Sequence, residues 1–348
     1  MVPRTKSSLA SVLGGVMLLT LVLLHAACAS SRPGKEHIRQ GDEIMIAGRM
    51  FHTGTPVVLW FDEGGYDGYR VERRFTKFEE REWEASKEKL DSPNRFGMRR
   101  VTLSEDERER VRGGTWPLDL LRQHVDQFVL HYDASGTSRQ CFRTLHDERG
   151  LSIHFLLDLD GTIYQTLDVQ ERAWHATKAN DRSIGIEIAN IGAYPVSQSS
   201  RLDAWYATGS DGRVRVVLPG WMGDGGVRTP AFVARPARNE AISGSIHGEM
   251  LKQYDFTPEQ YASLAKLTMA LSRVLPAIQI DAPRDKTGRV LTRALTDEEW
   301  QQFSGVLGHY HIQENKIDPG PAFDWERYFS MISKPPKTNR THKPQQAL

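Results

Sequence analysis

Cysteine is scarce in this sequence, whose 348 residues include only two, Cys28 and Cys141. If Cys28 is modified or removed with the N-terminal segment, Cys141 has no partner and the mature chain has no internal disulfide. The sequence then predicts that Cys141 is a small, buried apolar residue on a helix.

An excess of one charge is also missing, since 45 lysines and arginines face 44 acidic residues for a formal net charge of +1. A general nucleic-acid binder carries a basic excess, so the sequence argues against a nucleic-acid partner. No long apolar run follows the one that ends at Leu24. No later segment is therefore expected to span a membrane, and the composition is that of an ordinary globular protein.

The N-terminal residues have the pattern of an export signal, predicted for residues 1–29. Arg4 and Lys6 precede an apolar run from Leu9 to Leu24, and small residues follow. Cys28 lies where a bacterial lipoprotein is cut and acylated, although the leucine of a lipobox would stand one place later than Leu24. Ordinary signal-peptidase cleavage also suits this stretch. Both alternatives predict an exported protein of the cell envelope or periplasm, and the first adds a membrane anchor.

The rest of the chain divides by composition. Residues 30–43 are polar and are predicted to be a tether, and residues 44–125 an N-terminal extension of unknown role. A domain is expected over 126–330, interrupted by an insertion at about 194–254 that is rich in Gly, Pro, Arg and Ser. The final residues, 331–348, are predicted to be disordered. Charged stretches at Val71 to Leu90 and Ser104 to Arg112 indicate exposed helices.

The segment from Gly308 to Trp325, GHYHIQENKIDPGPAFDW, concentrates polar chemistry in a loop that its prolines prevent from being one helix. His309 and Asp318 are spaced so that a looped chain can bring both onto one cation. With a third ligand from elsewhere, this would be a catalytic zinc site with three protein groups and one water. A solvated loop without metal is the alternative for this segment taken alone.

Two predicted strands offer partners for that loop. Gln127 to His131 is a short apolar strand that ends in a histidine, where a crevice is a common place for chemistry in α/β folds. Ser183 to Asn190 is apolar apart from Glu187, and a carboxylate in such a strand must be paired, metal-linked or catalytic. A predicted helix, Ser138 to Arg149, follows the first strand, and Asp160-Gly161 predicts a hairpin.

Taken in order, FVLHYDASGT, HFLLDLDGTIYQ, RAWHA, SIGIEIAN and DPGPAFDW resemble the zinc-dependent N-acetylmuramoyl-L-alanine amidases of the second amidase family, which share a fold with peptidoglycan recognition proteins and phage lysozyme-type amidases. The resemblance covers about Phe128 to Trp325. It implies an α/β fold with a central mixed β-sheet flanked by helices and zinc at one end of the strands. It also implies hydrolysis, by a zinc-bound water, of the amide between N-acetylmuramic acid and L-alanine in peptidoglycan or muropeptides.

The resemblance also implies roles for single residues. One zinc ion would be bound by His131, His309 and Asp318. Glu187 would be the general base or a water-positioning carboxylate, and Lys316 would stabilise the charged intermediate, which suits the chemistry of each side chain. A tyrosine near the zinc in some relatives is replaced here by Ile153.

Other readings stay open on the sequence alone. His311 competes with His309 as the ligand, and His131 and Lys316 could be a core histidine and a surface lysine. The side chains of His154, His175 and Trp174 are candidates either for substrate binding or for packing. A non-catalytic peptidoglycan-binding module and a zinc peptidase that cuts another stem-peptide amide are the rival functions. The oligomeric state is left open.

Overall fold

The computed structural model describes residues 33–36, 38–80 and 95–332. The predicted export signal with Cys28 and nearly all of the predicted tail lie outside these residues. The chain divides into two compact units, Met1–Gln40 and Gly41–Leu348. The described residues of the first unit form a turn at 33–34 and no helix or strand. No helix within the described ranges is both long enough and apolar enough to cross a membrane.

The second unit is built around a mixed sheet of six strands: β3 (Val57–Leu59), β4 (Gln127–Tyr132), β5 (Phe155–Leu157), β6 (Ile163–Gln165), β7 (Ser183–Ile188) and β13 (Gly305–Gly308). Their spatial order is β13-β4-β7-β5-β6-β3. The four strands from β13 to β5 are parallel, β5 and β6 are antiparallel, and β6 and β3 are parallel. The expected central mixed sheet is therefore confirmed.

Six α-helices accompany the strands within the described residues: α1 (Glu105–Val111), α2 (Leu118–His124), α3 (Ser138–Phe142), α4 (Pro258–Val274), α5 (Asp297–Gln302) and α6 (Trp325–Met331). The longest, α4, begins as the sequence predicts. The hydroxyl of Thr257 accepts a hydrogen bond from the Gln260 amide, and the Gln260 side chain accepts one from the Thr257 amide. This capping box satisfies backbone donors that a helix start leaves free.

Alternation along the central strands sorts their side chains onto two faces. Phe128 and Leu130 of β4, with the isoleucines of β7, pack into the main core that also contains Leu264 and Leu271 of α4. The intervening residues point the other way, because successive strand residues face opposite sides of a sheet. His131 is therefore on the face away from α4, where Val129 contributes to a smaller apolar cluster.

Residues 44–125 contribute to the same sheet and core. Val57–Leu59 forms β3 and pairs with β6 at the sheet edge. A hairpin of β1 (Glu43–Ile46) and β2 (Arg49–His52) precedes it, and Trp116 is buried in the main core. Since β1 begins at Glu43, ordered structure starts within the segment 30–43 that was expected to be a tether.

The segment predicted to be an insertion, about 194–254, carries small sheets of its own. Strands β9 (Tyr206–Thr208) and β10 (Val214–Val216) form one hairpin. Strands β11 (Ile242–Ile246) and β12 (Glu249–Gln253) form a second hairpin, to which β8 (Tyr194–Pro195) adds a third strand.

Two helix predictions need correction. The helix expected over Ser138 to Arg149 is α-helical only to Phe142 and continues as a π-helical segment, Arg143–Glu148, before Gly150. The helix expected over Val71 to Leu90 is absent from its described part, where only Phe78–Glu80 forms a short 3-10 turn. Charge alone does not specify a helix when no apolar stripe gives it a face to bury.

Candidate metal centre and catalytic pocket

His131 and Glu187 meet because they occupy matched positions on neighbouring parallel strands. The register pairs His131 of β4 with Glu187 of β7, so both side chains emerge on the same face of the sheet. Both line one cleft with a volume of about 330 Å³. The cleft also receives side chains from α3 and its π-helical continuation, which form the opposite wall.

The remaining two candidate ligands come from the segment after β13, residues 309–322, called here the ligand loop. His309–His311 forms a 3-10 turn directly after the strand. The Tyr310 amide donates to the Asp318 carbonyl over 3.1 Å, which returns the chain to its starting point. His309 and Asp318 are thereby held side by side although nine residues separate them.

The structure brings all three candidate ligands together. The Nδ1 atoms of His131 and His309 are 3.0 Å apart, and Asp318 Oδ2 lies 2.9 Å from the first and 3.0 Å from the second. All three residues are buried. A tetrahedral zinc ion with bonds of about 2.0–2.1 Å separates its ligand atoms by about 3.3 Å, so this near-equilateral triangle has the size of one face of such a site.

Neighbouring side chains set the tautomers of both imidazoles. His309 Nε2 lies 2.8 Å from Gln313 Oε1, which can only accept, so Nε2 carries the proton and Nδ1 a lone pair. His131 Nε2 lies 3.0 Å from His175 Nδ1, and His175 Nε2 lies 3.2 Å from the Ser183 hydroxyl. If each donates to the next, His131 also presents a lone pair at Nδ1.

This donor set fits a divalent cation. Two imidazole lone pairs and one carboxylate oxygen within about 3 Å of each other repel unless positive charge lies among them. Burial, followed by the neighbouring His309, lowers the pKa of His131 to about 4, so His131 is neutral at physiological pH. Burial opposes ionisation of Asp318, but the two histidines outweigh it and lower its pKa well below the usual value. Neutral imidazoles and an ionised carboxylate are the protonation states that zinc binding requires.

Glu187 stands beside this triangle without a hydrogen-bond partner of its own among the described residues. Burial raises its pKa well above the usual value, and the charge of Asp318 adds to the effect while Lys316 opposes it. A carboxylate that is unpaired, desolvated and open to a cleft is a strong candidate for proton transfer.

Lys316 and Trp174 also line the cleft. The positive charge of Lys316 acts on both Glu187 and His131, which places it close to the candidate ligands. The Trp174 ring is held by Arg172, whose guanidinium carbon lies 4.2 Å from the ring centroid, and the Trp174 amide donates to Ser152. Lys316 therefore lies near the candidate ligands, and Trp174 lies in the wall of the cleft.

Two further histidines that were candidates on the sequence, His154 and His311, do not line the cleft. His154 is fully buried and is not among the residues that line the cleft, which favours packing, the other role open to it on the sequence. Its Nδ1 accepts from the Gly185 amide and its Nε2 donates to the Glu171 carbonyl, so it joins two segments of the core. Both ring nitrogens of His311 also have protein partners, since Nδ1 accepts from the Gly308 amide and Nε2 donates to the Leu291 carbonyl. His309 is therefore the member of the pair that faces the triangle.

Sequence reasoning missed the residues that orient the imidazoles. Gln313 lies four residues after His309, one helical turn along, and this spacing could have singled it out. Ser183 precedes Glu187 by four positions in the same strand, so alternation alone places both on one face. Arg149, which also lines the cleft, carries no sequence signal that distinguishes it from other exposed arginines.

A mixed sheet presents two imidazoles and one carboxylate at the floor of an open cleft, beside a second carboxylate, and this donor set is the one that metal-dependent hydrolases use. The particular family follows from the sequence. The model of the N-acetylmuramoyl-L-alanine amidase family matches residues 121–321, more than half of the chain, and the chain belongs to this family.

Individual relatives are more distant. The chain is 24% identical over 191 residues to the 1,6-anhydro-N-acetylmuramyl-L-alanine amidase AmpD of Haemophilus influenzae, a match that covers 52% of this chain and 59% of AmpD. The chain thus spans about three fifths of that relative's length.

Two solved structures are similar to parts of the chain. A selenomethionine derivative of AmpD gives a TM-score of 0.31 at 19% identity, with 77% of this chain and 99% of that one covered. A complex of the amidase AmiD from E. coli with anhydro-N-acetylmuramic acid-L-Ala-D-gamma-Glu-L-Lys gives 0.33 at 20% identity, with 60% and 57% covered. The fold of this protein is defined by its own strand order and pairing.

Proposed function

We propose that this protein hydrolyses the amide bond between N-acetylmuramic acid and L-alanine in peptidoglycan or muropeptides. The observation that carries the proposal is the triangle of His131, His309 and Asp318 next to the unpaired carboxylate of Glu187, in a chain of the amidase family. The AmiD complex contains a muropeptide of this class, which supports the choice of substrate.

In this proposal one zinc ion is held by His131, His309 and Asp318. Zinc, when bound, supplies a Lewis acid for the substrate carbonyl and lowers the pKa of water. Burial keeps the His131 imidazole neutral. Gln313 and His175 hold the two imidazoles in the ligand tautomer. The rigid strand and the closed loop hold the ligands in place before metal arrives, which reduces the cost of assembling the site.

Glu187 is the proposed general base. Its raised pKa makes it a stronger proton acceptor than an exposed glutamate, and its place beside His131 puts it at the floor of the cleft. After it takes a proton from the attacking water, it can give that proton to the leaving nitrogen of L-alanine.

Lys316 is the proposed electrostatic partner of the carbonyl oxygen, which gains negative charge as water attacks. A fixed positive charge at this point lowers the barrier because it acts in a water-poor site. Trp174 and His175 were candidates for substrate binding. We assign Trp174 to the cleft wall against the substrate, and His175 to His131 rather than to the substrate.

Export to the cell envelope completes the proposal, because its substrate is a wall polymer or fragments of it. The signal pattern in residues 1–29 supports export, and acylation at Cys28 would anchor the protein to a membrane. Labelling cells with a fatty-acid analogue should mark the wild-type protein and not Cys28→Ser. Equal absence of label in both would leave ordinary signal cleavage as the mode of export.

Product analysis tests the activity. Zinc-loaded protein is incubated with intact peptidoglycan and, separately, with anhydro-ended muropeptide, and the products are identified by mass spectrometry. Sugar that keeps its lactyl group, together with an intact stem peptide, is the expected result. Shortened stem peptides would instead identify a peptidase. Binding without any product, in protein with a full complement of zinc, would identify a binding module.

A further inference from the structure

The hairpin Ile242–Gln253, formed by β11 and β12 and called here the clamp hairpin, contacts the ligand loop at both ends. At its tip, His247 Nε2 donates to the Lys316 carbonyl over 2.9 Å. The His247 amide also donates to the Thr292 carbonyl, which ties the tip to a neighbouring segment. Because a carbonyl only accepts, the proton of this imidazole is on Nε2.

The base of the clamp hairpin holds the loop on the other side of Asp318. Gln253 is fully buried, donates to the Pro319 carbonyl over 3.0 Å and accepts from the Ala322 amide over 3.0 Å. The packing is close, since a Cβ added at Gly320 would lie 2.2 Å from the Gln253 side-chain oxygen. The hairpin therefore contacts residues on both sides of the candidate ligand Asp318.

The backbone at the tip makes the histidine unusual. His247 and Gly248 form a two-residue turn between paired Ile246 and Glu249, with φ values of 52° and 82°. Turns of this kind prefer Asn-Gly, because asparagine adopts the left-handed conformation more easily than most side chains. Histidine adopts this conformation less easily than asparagine, but its side chain is long enough to reach the Lys316 carbonyl. The residue that is unusual for this turn is thus the same residue that contacts the ligand loop.

We infer that the clamp hairpin positions the ligand loop, with His247 as the positioning residue for Lys316 and Gln253 as that for the segment around Asp318. The inference assigns a role to the insertion, and its catalytic consequence rests on the proposed function. Neither residue lines the cleft, so both act through the loop rather than on substrate. A displacement of Lys316 by about 1 Å would be enough to slow the chemical step considerably.

Two substitutions separate the contact from the turn. His247→Asn suits the left-handed backbone better but is too short to reach the Lys316 carbonyl, whereas His247→Gln returns a donor at about the original distance. Met250→Ser, at an exposed position of the same hairpin, is the control for the hairpin itself. Each full-length variant is compared with wild type by thermal melting, zinc content, kcat and KM, and by hydrogen exchange of loop peptides with and without zinc.

The expected result is a kcat about 10-fold lower for His247→Asn, with KM and zinc content unchanged, and recovery to within about 3-fold in His247→Gln. Exchange should speed up in peptides that contain Lys316, including in the metal-free protein, and only in the asparagine variant. Wild-type kcat and wild-type exchange in folded His247→Asn would overturn the inference, as would equal impairment of the glutamine variant. If wild type hydrolyses no muropeptide, the proposed activity fails, and the exchange data still decide whether the hairpin holds the loop.

Discussion

The Nε2 atom of His131 lies 3.0 Å from Nδ1 of His175, and His175 in turn lies 3.2 Å from the Ser183 hydroxyl. This chain links a candidate metal ligand to the start of its neighbouring strand. Burial, followed by the other nearby histidines, lowers the pKa of His175 well below its usual value, so it is a neutral group that can accept from His131. The geometry makes His175 an orienting partner of the ligand.

The first prediction concerns that partner. His175→Ala should weaken zinc binding by about 10-fold to 100-fold, because removing an orienting partner frees the ligand imidazole to rotate and change tautomer. Competition with a chromogenic chelator measures the dissociation constant without any need for activity. Ser183→Ala, one contact further away, is the matched control and should have a smaller effect. Wild-type zinc affinity in a folded His175→Ala protein would show that the contact does not orient the ligand.

The second prediction separates the two histidines of the ligand loop. His309→Ala should lose stoichiometric zinc, because it removes one corner of the triangle. His311→Ala should keep zinc and lose stability, since it leaves the buried Gly308 amide and Leu291 carbonyl unpaired, at a cost of about 1–3 kcal/mol. Metal analysis and thermal melting of both variants decide the matter. The opposite pattern would make His311 the ligand.

The third prediction tests the base. Glu187→Gln preserves shape but not basicity, and should lower kcat by about 100-fold or more while zinc content and melting temperature stay close to wild type. The half-buried Glu187 carboxyl has no hydrogen-bond partner among the described residues, so its replacement by an amide should not destabilise the fold. Measurement of kcat on muropeptide with zinc content determined on the same sample is the check. Unchanged kcat would remove Glu187 from the mechanism.

The fourth prediction is a pH dependence of stability that comes from Asp158. This carboxyl is fully buried, and burial raises its pKa to about 7. A carboxyl with a raised folded-state pKa stabilises the fold fully below the unfolded-state value of 3.8, and the contribution is lost as the pH rises towards about 7. Between these values the loss is at most about 1.4 kcal/mol per pH unit.

Asp158→Asn removes this titration and keeps an oxygen for the Ser138 and Leu159 amides. Its melting temperature should therefore fall less than that of wild type between pH 5 and pH 8. Thermal melting at several pH values measures the difference, and Asn at the exposed Asp203 is the control. Parallel curves for wild type and Asp158→Asn would contradict the prediction.

Local patterns in the sequence determined much of the fold. The Thr257 capping box, the strand at Gln127 and the hairpin at Asp160-Gly161 were all predicted, and the structure confirms them. Each depends on residues a few positions apart, whose preferences do not need the rest of the chain. Polar side chains in apolar strands and in a proline-rich loop stand out from their surroundings, which made His131, Glu187, His309 and Asp318 candidates. The resemblance to the amidase family then implied their roles.

Only the tertiary structure decided which of those residues come into contact with each other. His131 and Asp318 are 187 positions apart, and their contact depends on the pairing of β13 with β4. The pairing of β3 with β6 also depends on the tertiary structure, because β3 comes from a segment outside the predicted domain. So does the complete burial of His154. Long-range pairing and burial depend on which surfaces exclude water together, and no short stretch of sequence carries that information.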